Sequence, residues 1–194
     1  MATKTLTTPA GIARYPHLNA PDRKYATAEA PHGVYKVNLE MSNDDAAKFI
    51  AAIEGMFSEF LEEKKRELKK DKLKMYDFPW EENDGMTQFK LKVKAMGKSK
   101  AGEEYSRQPK LFGSDGQPIE ANVGGGSKLK VAVVPYFWYS ATLGAGITLQ
   151  PKAIQVLDLV TWGSGGSAQA YGFDVSESAA PAAKTGTDDQ EISW

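Results

Sequence analysis

The chain contains no cysteine, so disulfide cross-links and thiolate metal sites are both excluded and a secreted address gains no support. It has only two histidines, His17 and His32, and each adjoins a proline near the N-terminus. Two isolated imidazoles, with no thiol nucleophile and no His-Glu-x-x-His arrangement, leave nucleophilic and metal-assisted hydrolysis poorly supplied. No enzyme activity, cofactor or bound metal is expected. Gly124-Gly125-Gly126-Ser127-Lys128 has the look of a phosphate loop, but the serine precedes the lysine and a strand pattern follows. The helix N-terminus that cradles phosphate is therefore missing, and Gly144-Ala145-Gly146 fails as a dinucleotide fingerprint for the same reason. The carboxylates between Tyr76 and Gly85 do not follow calcium-loop spacing and read as an acidic turn. No apolar run approaches the roughly 20 residues that cross a bilayer, and Met1 to Pro9 is threonine-rich without an apolar signal core. A soluble intracellular protein without a membrane partner is the expectation.

Hydrophobic residues make up 41% of the 194 positions and aromatics 10%, enough to build a core and to argue against wholesale disorder. The net charge of −1 conceals a segregation. From Gly163 to Trp194 there are five acids and one base, which leaves 23 bases against 20 acids in residues 1–162. A mildly basic body joined to an acidic tail suits a polyanion-binding domain, although an ordinary domain with a solubilising tail has the same composition.

Residues 1–32, punctuated by Pro9, Pro16, Pro21 and Pro31, read as an extended arm lying on the surface of the domain. The body spans residues 33–162. In its first strand Tyr35, Val37, Leu39 and Met41 share one face, and Lys36, Asn38 and Glu40 share the other. Ser42 to Asp45 supplies a capping hydroxyl and early carboxylates. Apolar residues then recur from Ala46 through Phe49, Ile53 and Phe57 to Leu61 at three- and four-residue spacing, which predicts one amphipathic helix. The stretch from Lys64 to Lys74 is dense in lysine, either as a solvated helix end or as a nucleic-acid contact. Asn83-Asp84-Gly85 signals a tight turn into a strand from Met86 to Met96. A strand is predicted around Arg107 to Phe112, another from Lys128 to a break at Pro135, and a final pair at Gly146 to Gln150 and Ala153 to Val160. From Gly163 onward Gly, Ser and Ala dominate, which predicts a flexible acidic tail. About five short strands and one long helix make an α+β, mainly β, small barrel.

Two strands carry lysine at every second position. Lys90, Lys92 and Lys94 alternate with Phe89, Leu91, Val93 and Ala95, and Lys128 and Lys130 alternate with Leu129, Val131 and Val133. Such ammonium groups stand about 6.5–7 Å apart on one side of a strand. They repel one another until phosphates replace their counterions, although lysines also guard exposed edges against aggregation. Tyr136, Phe137, Trp138 and Tyr139 follow directly. Neighbours in extended chain point oppositely, so one or two of these rings face solvent, and Tyr136 and Trp138 are the expected pair. Stacking on such rings is worth about 1–3 kcal/mol per base whatever the sequence. Tyr105 and Phe112, which flank Arg107 and Lys110, are weaker candidates.

Several segments resemble the single-stranded DNA-binding proteins of podophage replication systems. The likeness is carried by Gly33-Val-Tyr-Lys-Val-Asn-Leu39, Gly124-Gly-Gly-Ser-Lys-Leu-Lys-Val131, Val134-Pro-Tyr-Phe-Trp138, Gly144-Ala-Gly146 and the apolar run to Leu159, in that order. The resemblance implies an OB-fold five-stranded barrel with a helix inserted after the first strand. It implies binding of single-stranded DNA during phage DNA replication, recombination and repair, in the cytoplasm of the infected bacterial host. The groove positions carried over are Lys36, Lys90, Lys92, Lys94, Lys128, Lys130, Tyr136 and Trp138, while Arg107 and Lys110 lie where the sequences diverge. The ending Asp188-Asp189-Gln-Glu191-Ile-Ser-Trp194 matches the family's acidic tail, which implies docking of phage DNA polymerase and helicase-primase through Asp188, Asp189, Glu191 and Trp194. A homodimer is also implied. Two rivals stay open on the residues alone: a duplex DNA-binding architectural protein, and an interaction adaptor that displays the acidic tail.

Overall fold

Alternation of apolar and polar residues, read across neighbouring strands, generates most of the architecture. The computed structural model describes residues 4–24 and 26–161. In chain order the elements are β1 (Leu6–Thr7), β2 (Gly11–Asp22), β3 (Val34–Ser42), α1 (Asn43–Leu68), β4 (Trp80–Asn83), β5 (Met86–Lys94), β6 (Met96–Lys98), β7 (Glu104–Ser106), β8 (Lys110–Phe112), β9 (Lys128–Ser140) and β10 (Gly144–Asp158). Five of these close on themselves in the order β2, β3, β5, β10, β9 and back to β2. The protein is therefore mainly β, with an OB-like five-stranded barrel and one long helix.

The barrel interior is filled by the alternate residues that the period of two predicts. Tyr35, Val37, Leu39 and Met41 of β3, Phe89, Leu91 and Val93 of β5, and Leu129, Val131 and Val133 of β9 are all buried. Their neighbours face outward, including Lys36, Lys90, Lys92, Lys94, Lys128 and Lys130. Helix α1 starts where Ser42 caps it, the serine Oγ accepting from the Asp45 N–H at 3.2 Å. Ala46, Phe49, Ile53 and Phe57 line its buried face. The Phe49 and Phe89 rings meet edge to face at 5.3 Å between centroids, tying the helix to the barrel.

Three segments differ from expectation. Residues 1–32, read as a surface arm, supply β1 and β2, and β2 is a full barrel strand. Its prolines coexist with pairing because the ladder to β3 shifts register between Arg14 and His17 and again between His17 and Asp22, leaving Pro16 and Pro21 between paired positions. Helix α1 thus follows the strand that carries Lys36, as expected, but that strand is preceded by two others. Pro135 does not end its strand: β9 runs on to Ser140, with Pro135 buried opposite Leu149. The expected final pair is one strand, β10, with a register shift between Pro151 and Ala153. Between β4 and β5, Asp84 and Gly85 both adopt positive φ (46° and 79°), the mirror-image turn that the Asn-Asp-Gly signal predicts.

Candidate nucleic-acid interface

Strand β9 presents Lys128, Lys130, Ala132, Val134, Tyr136 and Trp138 on its outer side and Phe137 on its inner side. Phe137 packs against Phe57 and Phe60 of α1, at 5.4 and 5.8 Å between ring centroids. That contact fixes the orientation of the strand, and Tyr136 next to it stands out with 54% of its surface exposed. Trp138 is half-buried. Its Nε1–H donates to Thr148 Oγ1 at 3.2 Å, and its ring lies over Gly146, where a β-carbon would come within 2.2 Å of the indole. Replacing Gly146 with alanine should therefore lift the indole off β10 and change the tryptophan emission, which a fluorescence spectrum checks. Unchanged emission would mean that the ring does not rest on Gly146.

Beside Tyr136 lies an open groove of about 900 Å³. Its cationic lining comes from four separate places: Lys94 at the end of β5, Arg107 in the β7–β8 link, Lys110 of β8 and Lys152 of β10. Tyr105, half exposed, and Tyr136 provide rings, and Gln150 provides an amide. The link is held in place by Arg107, whose N–H donates to Ala95 O at 2.9 Å and whose guanidinium donates to Gln150 Oε1 at 2.6 Å. Among the described residues, Lys92, Lys94, Lys110 and Lys152 form no ion pair. A shallower hollow of about 240 Å³ lies farther along the same outer face, lined by Phe112, Lys130 and Gln155, and it shares Ala153 with the groove. The ladders explain this neighbourhood, since Gln155 pairs with Phe112 on one side and Lys130 on the other.

The expected positions therefore divide into groups. Lys94, Arg107, Lys110 and Tyr136 meet in the groove, and Phe112 and Lys130 extend it. Lys92 lies two residues before Lys94 on the same outer face of β5, while Lys128 stands beyond the hollow, opposite Asp158 in the ladder. Two lysines are already neutralised. Lys36 Nζ lies 2.6 Å from Asp22 Oδ2, and the hydrogen bond from Lys36, with a second from the Lys24 N–H, holds the Asp22 carboxyl below the usual carboxylate range. Lys90 pairs with Glu81, which the β4–β5 hairpin sets diagonally across from it. Asp188, Asp189, Glu191 and Trp194 lie outside the described residues.

Sequence reading did not identify Lys152 and Gln150. Lys152 is the extra residue at the β10 register shift, and no alternation signal marks a bulge. Among the described residues no cluster of His, Asp and Glu side chains could hold a metal ion. No described helix is long and apolar enough to cross a membrane.

A closed barrel whose outer face joins unpaired ammonium groups to exposed rings defines an OB-fold binding module. A family model described as single-stranded DNA-binding protein, bacteriophage T7, matches residues 10–159. The chain belongs to this family of phage single-stranded DNA-binding proteins, whose members are not enzymes. It is 34% identical over 187 residues to the single-stranded DNA-binding protein of Enterobacteria phage T3, covering 84% of this chain and 79% of that protein. It is 33% identical over 189 residues to the Escherichia phage T7 protein, covering 85% and 80%. The crystal structure of gp2.5, a single-stranded DNA-binding protein encoded by bacteriophage T7, superposes with a TM-score of 0.73 at 29% identity, covering 86% of this chain and 99% of that one.

Proposed function

We propose that the protein binds single-stranded DNA through the groove beside Tyr136, without sequence preference. The observation that carries this reading is the convergence of Lys94, Arg107, Lys110 and Lys152 with the exposed Tyr105 and Tyr136 rings in one open groove. Cations replace counterions along a phosphate backbone, and rings stack on base faces, which single strands expose and duplexes hide. The groove is open along the sheet, as a polymer requires, and offers no enclosed seat for a small molecule.

The protein acts in phage DNA replication, recombination and repair in the cytoplasm of the infected host. Its tail takes a second part in this reading. Asp188, Asp189, Glu191 and Trp194 dock phage DNA polymerase and helicase-primase, the carboxylates meeting basic patches on those partners.

Competition between single- and double-stranded oligonucleotides of the same sequence tests the proposal. Single strands should win, with an affinity that falls with salt at a log–log slope of about −0.7 per phosphate contacted. Equal or stronger binding to the duplex would favour an architectural protein instead. Removing residues 188–194 should preserve or strengthen binding to single strands, whereas an adaptor built around the tail would lose its function.

A further inference from the structure

The lysine-dense stretch after helix α1 meets the ring track at a defined point. Lys69 ends the helix in the left-handed region (φ 52°), and residues 70–79 run back across the barrel. That return is stitched to the start of β10: the Tyr76 N–H donates to Ala145 O at 2.7 Å, and the Ala145 N–H donates to Lys74 O at 2.8 Å. Lys74 Nζ also reaches Thr142 O at 3.4 Å. The backbone hydrogen bonds deliver the Tyr76 ring to Trp138, with 5.2 Å between centroids and a tilt of 56°. Tyr76 nevertheless keeps 45% of its surface exposed, which is more than a ring recruited only to fill the core would keep. The two rings form a corner too tight to admit a base between them, and Tyr76 adds its exposed surface beside Trp138.

The same segment is cationic. Lys69, Lys70, Lys72 and Lys74 are all exposed, against Asp71 and Asp77. Among the described residues none of the four forms an ion pair, whereas Lys64 and Lys65, one turn earlier on the helix, are paired with Glu67 and Glu62. Lys64 and Lys65 are thus neutralised on the helix, whereas the lysines of the stretch that touches the ring track are left without a carboxylate partner among the described residues.

We propose that residues 70–76 form a second stretch of binding surface for single-stranded DNA, in which Tyr76 continues the ring track from Trp138 and Lys70, Lys72 and Lys74 take the backbone phosphates beyond it. The inference rests on the groove being a single-strand site. It predicts that a strand leaving Tyr136 crosses Trp138 and turns onto the segment that follows the helix.

The test uses the full chain and two oligothymidines, one of about 6 and one of about 16 nucleotides, within the range of site sizes for one OB barrel. Replacing Lys70, Lys72 and Lys74 with alanine should weaken the long oligomer by about tenfold or more at about 0.1 M salt and make its salt slope shallower by about 1 to 2. The short oligomer should bind as before. Tyr76→Leu should weaken the long oligomer by about fivefold or more, for loss of one stacking face. These lysines are exposed, so the triple variant should melt as the parent does. An unchanged salt slope and affinity for the long oligomer in that variant would overturn the proposal. The groove variant K94A/K110A/K152A, measured alongside, separates the two readings. If it loses the short oligomer while the segment variant is silent, only the extension fails, and if neither variant affects either oligomer, the groove reading itself fails.

Discussion

Replacing Lys94, Lys110 and Lys152 together with alanine should weaken binding to single-stranded DNA by about 100-fold at about 0.1 M salt. The three ammonium groups line one groove from three different strands, and among the described residues none is held by a carboxylate. Each phosphate contact released removes about 0.7 from the salt slope, so three removals take away about 2. Their combined effect therefore shrinks as salt rises and should vanish near about 1 M. All base sequences should suffer alike, because phosphates carry no sequence information. Replacing Lys36 and Lys90 instead should matter far less, since Asp22 and Glu81 already neutralise them. Titration of oligothymidine against both variants across salt decides the matter. A groove variant that binds like the parent would move the interface elsewhere on the barrel.

The largest expected effect on stability belongs to Phe89. Its side chain is fully buried, with the Phe49 ring in T-shaped contact at 5.3 Å and the Trp80 ring tilted at 6.1 Å. It therefore joins the helix, the β4–β5 hairpin and the barrel interior in one contact. Phe89→Ala should cost about 3–5 kcal/mol, the transfer of a phenyl group plus the cavity left between elements that cannot close together. For a domain of this size that corresponds to a fall in melting temperature of about 10 °C or more. Loss of only a few degrees would mean that the helix settles into the vacated space. Binding measured well below the melting point should persist, because the outer face of β5 is built by Lys90, Lys92 and Lys94 and not by the ring beneath.

Elements whose alternation is uninterrupted were legible from residues alone. The strand carrying Tyr35 to Met41, the strand carrying Phe89 to Val93, the capped helix from Ser42 and the Asp84-Gly85 turn all follow from period and local chemistry. Prolines obscured the rest. Pro16 and Pro21 suggest an arm, Pro135 a strand end and Pro151 a gap, yet each is accommodated within a paired strand, two of them at register shifts to β3 and one at the bulge that turns Lys152 outward. Whether a lysine is neutralised was hidden as well, because Asp22 lies 14 positions from Lys36 in sequence but 2.6 Å away in space. The groove has the same character: Lys94, Arg107, Tyr136 and Lys152 are brought together by ladder pairing between segments far apart in the chain. The link that carries Arg107 is positioned by bonds to Ala95 and Gln150, which no local pattern announces.

Strand β9 serves two surfaces at once, and this bears on the entropy of association. With Phe137 gripped from behind by two rings of the helix, the backbone beneath Tyr136 and Trp138 gives up its freedom when the chain folds, before any ligand arrives. Little further ordering then remains to offset the gain from stacking. Helix α1 thus braces β9 through Phe57 and Phe60, and under the proposed function loosening either ring would be felt at the groove as a slacker grip.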